Sequence, residues 1–370
     1  MLDWLGQFSE EIWGPLRLLS SRLFLSAVGV LLAGLGTAWV LRKVLEIQNT
    51  SEDPRILPRD RGRENAVEAA AALGKPTGAG ILFIPIYIVA CLIVVPFSLG
   101  PATVLIAVLA AAWTGFLDDR AVKPWGEYRK AVIDLAIALF AAAVVLGPES
   151  IEIWVPFWAP KVLDATGAPM LATVAIPAMV SWPVGAVVLW VSINTTNCTD
   201  GVDGLSGSLL ALAFVFLGAI LYVAVGNRVV ADYLLVPYYA GASAWGIMAF
   251  TLLGVLGSYL WFNAHPSRLL MGDAGSRPLG LLLGVFVLAT GNVFLLPVVA
   301  GIVLVNGGTG LVKVALLRFF RIWIFKEIRF PLHDHVRHKL GWSGTQVLVR
   351  FMILQAILAP LLIVVILKVR

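Results

Sequence analysis

The chain has 370 residues, of which 59% are hydrophobic and only 13% charged, with a formal net charge of +5 and a mean hydropathy of +0.91. That balance excludes an ordinary soluble domain and predicts an all-α, polytopic membrane protein, because long apolar runs satisfy their backbone only as helices and do not suit a β-barrel. The positive charge lies in loops rather than a basic domain, which suits anionic headgroups or a polyphosphate substrate and gives little support to nucleic-acid binding; the only two cysteines, Cys91 and Cys198, offer no disulfide framework.

At about 20 apolar residues per crossing, ten spans are expected in one membrane domain covering 1–370. They lie near 23–45, 78–98, 101–117, 130–148, 180–196, 204–226, 234–262, 278–293, 294–318 and 347–368. Asp3, Glu10, Glu11 and Arg17 precede the first apolar run, which is not a signal-peptide layout, so that run is expected to remain as a span. The eighth and ninth spans share one apolar stretch, 279–305. Loops 46–77, 118–129, 263–277 and 319–346 are rich in Lys and Arg, including Arg59, Lys75, Arg120, Lys123, Arg277 and Arg337, whereas internal loops of the other side offer Lys161 and Arg228. By the positive-inside rule the first set is cytoplasmic and both termini face outward.

The charged, alanine-rich stretch 49–76 reads as a cytoplasmic loop with one short amphipathic helix. Asp118-Asp119 then closes the third span. Carboxylates at membrane depth tend to mark ion or substrate sites. Adjacent side chains point about 100° apart on a helix, so both reach one cation only where the helix frays. They favour a divalent ion, or set one base beside another carboxylate that raises its pKa; a solvated helix end is the plainer alternative. On the outer side, Ile151 to Val155 alternates apolar and polar residues, as in a short hairpin or interfacial strand, with Trp154, Trp158 and Trp182 as an aromatic belt.

Asn194 to Gly204 follows, with amides, threonines, Asp200 and Asp203 between two spans. So many oxygen ligands suit Mg2+, ribose and uracil-type recognition, although Asp203 could also cap the span that begins at Gly204. Met271-Gly272-Asp273-Ala274-Gly275-Ser276 sets one carboxylate between glycines at the start of a span, where a helix N-terminus favours anions, and it lacks a P-loop lysine. Pro331 to Lys339 contains His333, His335, His338, Arg337 and Lys339. Without cysteine partners, this favours phosphate or sugar contact over zinc. His265 and Lys313 are expected to snorkel or to satisfy a carbonyl. All three acidic clusters and all four histidines fall on the cytoplasmic side, so one cytoplasmic active site is expected.

These motifs, in this order, resemble the polyprenyl-phosphate N-acetylhexosamine-1-phosphate transferases, most closely their muramoyl-pentapeptide branch. The matching pieces are Pro76 to Gly80, Gly115 to Asp119, Lys130, Asn194 to Leu205, Trp261 to Asn263 with Pro266, Met271 to Ser276, Pro331 to His335 and Gly341-Trp342-Ser343. The resemblance implies transfer of a phospho-sugar from a UDP-linked muramoyl-pentapeptide donor to undecaprenyl phosphate, with Mg2+ as cofactor, UMP as leaving group and a homodimer in the bilayer. It further implies Asp273 as metal ligand with Asn197 as a second, Asp118 as base or positioning group, and Asp119 in support of metal or phosphate. Asn194, Asp200 and Asp203 would shape the nucleotide and metal pocket, and Lys130, His333 and His335 would contact phosphates or sugar. The chain departs from the family pattern at Asp334 between two histidines, at Leu270 for an aromatic, at His265 for a tyrosine and at Lys123, one residue later than the family's lysine, and the segment before Pro76 matches poorly. A sibling transferase using UDP-N-acetylglucosamine is the alternative, and a transporter is a remote one disfavoured by polar residues gathered at one face.

Overall fold

The computed structural model describes residues 2, 18–50, 56–62, 72–154 and 173–368. Four helices come first: α1 (Arg22–Thr50), α2 (Gly80–Val94), α3 (Leu99–Arg120) and α4 (Glu127–Leu146). Strands β1 (Ile151–Trp154) and β2 (Thr173–Ile176) pair antiparallel, Ile151 opposite Ile176, so the expected hairpin is present. Next come α5 (Ala178–Thr199), α6 (Leu205–Ala224, its last turn a π-helix), α7 (Arg228–Leu234), α8 (Ala242–Asn263) and α9 (Asp273–Ala289). The chain continues through α10 (Leu295–Val299), α11 (Gly301–Phe320, with a π-turn at Leu304–Gly308), α12 (Leu332–Leu340) and α13 (Gly344–Lys368).

Among the described residues seven helices, α1, α3, α5, α6, α8, α11 and α13, are long and apolar enough to cross a membrane, and α2 is a shorter apolar helix. The protein is therefore an all-α, polytopic membrane protein. Two further segments expected as spans are helices that carry charge: α4 holds Lys130 and Asp134, and α9 holds Asp273 and Arg277. Helix α9 is the core of the bundle. Every residue from Ala274 to Leu288 is buried, and from Pro278 onward the helix is apolar all round, as suits a helix at the core. Its end at Ala289 resolves the shared apolar stretch, since Thr290 and Asn292 break the chain there through local hydrogen bonds. By contrast, the Thr309–Phe320 part of α11 has no buried residue, and α13 exposes Val349, Ile353, Ile357 and Leu361. Such surfaces suit lipid tails.

Several expected loops are helical. Asp118 and Asp119 lie in the last turn of α3, Asn194 to Thr199 finish α5, Asp273 to Arg277 open α9, and His333 to Lys339 belong to α12. The seventh span begins only at Ala242, because residues 235–241 turn away from the short α7. Arg277, counted as a loop cation, is buried inside the bundle. Trp154 is also buried rather than part of a belt, while the Trp182 indole donates to the Gly147 carbonyl at 2.7 Å; Trp158 lies outside the described residues. The hairpin is tied down by the Tyr239 hydroxyl, which donates to the Glu152 carbonyl at 3.2 Å. Burial, with Glu152 nearby, pushes this phenol up to about 12. Lys313 donates to the carbonyls of Phe325 and Ile328, each at 3.0 Å, as expected of a carbonyl-satisfying lysine.

Candidate active site

Long-range backbone pairing brings the motifs together at one end of the bundle. Leu270 N donates to the Pro76 carbonyl (2.8 Å), and Ala79 N and Gly80 N donate to Leu270 and Met271 (3.1 and 3.2 Å). The α2 start therefore lies beside the α9 start. Arg59 is bridged to Pro76. The Asn263 side chain accepts from Gly204 N (2.8 Å) and donates to the Leu269 carbonyl (2.9 Å), locking the α5–α6 turn to the segment before α9. These elements enclose an open cavity of about 280 Å³.

Lys130, on the first turn of α4, stands at its centre. Its ammonium pairs with Asp118 and lies 3.1 Å from Asp273 Oδ2. Asp118 also accepts from Trp125 N at 2.6 Å, and Asp273 Oδ1 accepts from Asn197 Nδ2 at 2.9 Å. Asp119 is employed differently: its two oxygens accept from Asp273 N (3.1 Å) and Ala274 N (3.0 Å), the first turn of α9. A carboxylate there satisfies orphan N–H groups and meets the positive end of the helix. Asp119 thus fixes where Asp273 stands. The helices must also approach closely, since a Cβ at Gly115 would run into the Asp273 carbonyl and one at Gly80 into the Ala274–Gly275 peptide.

Asp203 holds the opposite wall. Its carboxylate accepts from the Ser267 hydroxyl (2.7 Å) and backbone N (3.1 Å), with His265 Nδ1 at 3.1 Å and Lys75 at 3.6 Å. Helix capping by Asp203 is not what is found, as α6 has no side-chain cap. Burial pushes this carboxyl up, but the Ser267 bonds, Lys75 and His265 outweigh it and hold it below the usual carboxylate range. A depressed folded pKa gives stability that is present above the unfolded value, about 3.9, and is lost as pH falls through the folded value. The melting midpoint of the parent should therefore exceed that of Asp203→Asn at pH 7, and the gap should close on acidification below about pH 4. A gap that is constant from pH 7 to 3 would contradict the latch.

Helix α12 divides its residues by phase. His333, Asp334 and Arg337 are buried toward the cavity, whereas His338 and Lys339 are exposed. His333 N donates to Asn306 Oδ1 (2.8 Å), and His333 Nδ1 lies 3.1 Å from the same oxygen. Donation from Nδ1 leaves Nε2 beside Gly201. Of the residues singled out in the sequence, Asp118, Asp119, Lys130, Asp200, Asp203, Asp273 and His333 line the cavity, and Asn197 joins through Asp273. Two do not. Asn194 folds back on the Trp190 carbonyl (2.9 Å), and His335 Nδ1 accepts from Arg329 N (3.2 Å). Arg337, expected to contact phosphate or sugar, does line the cavity, whereas sequence reading missed Arg59, Arg61, Lys75 and Asp334 as lining residues. The 3–4 spacing of His333 and Arg337 was a readable helical signal; the others depend on pairing across the chain. The departures Leu270 and His265 also line the cavity.

Asp118 and Asp273 share the ammonium of Lys130 in the middle of the site, and Asp119, bonded to the first turn of α9, adds a third carboxylate to the same cavity. This surplus of hard oxygen donors fits Mg2+, which takes one or two carboxylates and completes its shell with water and phosphate oxygens. Among the described residues no group of three His, Cys, Asp or Glu side chains is assembled to hold a metal by itself, so phosphate oxygens would complete the shell.

Residues 101–291 match the family model described as glycosyl transferase family 4. A phospho-N-acetylmuramoyl-pentapeptide-transferase from Treponema pallidum (strain Nichols) is 44% identical over 358 residues, covering 97% of this chain and 94% of that protein. A protein of the same name from Chlorobaculum parvum is 31% identical over 267 residues, 69% of this chain and 70% of its own length. Another from Nautilia profundicola is 27% identical over 305 residues, 80% of this chain and 82% of that one.

Proposed function

The chain belongs to the phospho-N-acetylmuramoyl-pentapeptide-transferase family within glycosyl transferase family 4, and from that premise we propose how its cavity performs the reaction. The enzyme moves phospho-N-acetylmuramoyl-pentapeptide from its UDP-linked donor to undecaprenyl phosphate, giving lipid I and UMP in peptidoglycan synthesis. The observation that carries the site assignment is the convergence of Asp118, Lys130, Asn197 and Asp273 at one cavity lined with Arg59, Arg61, Lys75 and Arg337. The cations suit a diphosphate donor, and the open end lets two bulky substrates meet. Incubating the purified protein with Mg2+, undecaprenyl phosphate and labelled UDP-N-acetylmuramoyl-pentapeptide should move label into lipid. Labelled UDP-N-acetylglucosamine should not transfer; the reverse preference would overturn the substrate assignment.

A carboxylate repels a phosphate unless a cation lies between them, and Lys130 supplies one. Two of its ammonium positions face Asp118 and Asp273, leaving a third N–H for a phosphate oxygen. Asp118 is the base or positioning group for the lipid phosphate, held in orientation by Trp125 N. Asp273 and the Asn197 side-chain oxygen are the residues that would hold Mg2+, which supplies charge neutralisation at the donor diphosphate and the leaving UMP. Asp119 keeps Asp273 in place through its backbone. Asp200 and Asp203, with Lys75, form the wall for the nucleotide. Association as a homodimer rests on the family resemblance alone.

The phase of α12 separates two histidines that the sequence treats alike. His333→Ala should raise the donor KM by about 10-fold, the scale of a lost hydrogen bond to a ligand, with a smaller fall in kcat. His335→Ala should change KM less than twofold, since His335 serves Arg329 N instead of the cavity. Equal KM effects for the two variants would show that α12 presents both to substrate.

The cavity faces the cytoplasm of the bacterial inner membrane in this proposal, following the loop charges. Lys123, Lys339 and Arg228 are exposed. In a variant lacking Cys198, cysteines at 123 and 339 should react with an impermeant reagent only from the cytoplasmic side, and one at 228 only from outside. The opposite pattern would invert the orientation.

A further inference from the structure

One turn behind Lys130 and Asp273, the same two helices carry a second ion pair of reversed sign. Arg277 follows Asp273 by four residues on α9, and Asp134 follows Lys130 by four on α4. Arg277 Nε donates to Asp134 Oδ1 at 2.9 Å, and Nη2 donates to the same oxygen. Side-chain exposure is 1% for Arg277 and 3% for Asp134, and neither residue lines the cavity. We propose that this buried pair is a positioning element of the active site, fixing the rotational register of α4 against α9 so that Lys130 stands at Asp273.

Stability alone is a weak reason for such a pair. Desolvating two charges offsets their attraction, and an apolar pair of similar volume is often as stable. Arg277 Nη1, moreover, has no hydrogen-bond partner among the described residues, and from Leu281 to Leu288 the rest of α9 packs through glycine and apolar side chains. What the pair supplies is direction. A guanidinium gripping one carboxylate through two N–H groups resists rotation, and turning α4 by one residue, about 100°, would carry Lys130 away from Asp118 and Asp273. An arginine one turn behind Asp273 also favours its ionised form by simple Coulomb attraction.

The inference rests on the proposed roles of Asp273 and Lys130. Its test compares Asp134→Leu/Arg277→Leu, Asp134→Asn/Arg277→Gln and Asp273→Asn with the parent, in the purified full-length protein. Melting midpoint, kcat, donor KM and the Mg2+ concentration for half-maximal rate are measured for each. Both double variants should melt within a few degrees of the parent, because no lone buried charge remains. Their kcat should fall about 10- to 100-fold, the scale found for groups that orient a ligand, with donor KM nearly unchanged and more Mg2+ required. Should the leucine pair not fold, the Asn/Gln pair decides by the same criterion. Parental kcat in a folded double variant, beside an inactive Asp273→Asn, would overturn the positioning role alone; an active Asp273→Asn would overturn the site reading beneath it.

Discussion

Asp273→Asn is expected to lower kcat by about a thousandfold or more, since the several kcal/mol of charge stabilisation ascribed to a catalytic metal correspond to that factor. The carboxylate accepts from Asn197 on one oxygen and Lys130 on the other. An amide retains one acceptor but turns an NH2 toward one of these donors, so charge and geometry are lost together. The fold should survive, because the Asp273 backbone N–H stays bonded to Asp119 and the side chain is not an α9 cap. Excess Mg2+ should restore only part of the rate. Turnover near that of the parent, in a protein with an unchanged melting midpoint, would remove Asp273 from the metal assignment.

Lys130→Met is expected to lower kcat by about 10²- to 10³-fold, as when a preorganised donor to developing charge is removed. Methionine keeps an unbranched stem of similar reach, so packing along α4 is largely retained. The ammonium that bridges Asp118 and Asp273 is not. Asp118 and Asp273 then lose the cation between them, and a phosphate reaching that part of the cavity meets their uncompensated charge. Lys130→Arg should recover a fraction of the activity, because its charge persists while its planar fork fits two carboxylates on different helices less well than a point charge does. A Lys130→Met enzyme with parental kcat would show that the lysine serves folding only.

The substitutions that matter were legible to different degrees. Asp273 stands out because a carboxylate between glycines at the mouth of an apolar helix either caps the helix or does chemistry, and the other acidic clusters favour chemistry. Asp118 and Asp119 stand out as a pair, yet their spacing does not reveal that one faces Lys130 while the other binds the first turn of α9. Asn194 and Asn197 are one helical turn apart, and both look like ligands in a polar run. Only Asn197 reaches Asp273.

Composition and hydropathy determined the all-α membrane class, because apolar runs of this length must close their own hydrogen bonds. The order of the polar motifs determined the family, and the placement of acidic clusters at span ends indicated one site at one end of the bundle. The tertiary structure decided the phase and partners of each side chain. His333 faces the cavity and His335 faces Arg329 because α12 turns every 3.6 residues. Arg277 sits in the core because Asp134, 143 residues earlier in the chain, compensates it. Lys75 and Arg59 reach the cavity because Pro76 to Gly80 pairs with Leu270 and Met271. Local sequence carries propensity and hydrophobic pattern; contacts between residues far apart in the chain depend on how helices pack, and no local pattern encodes them.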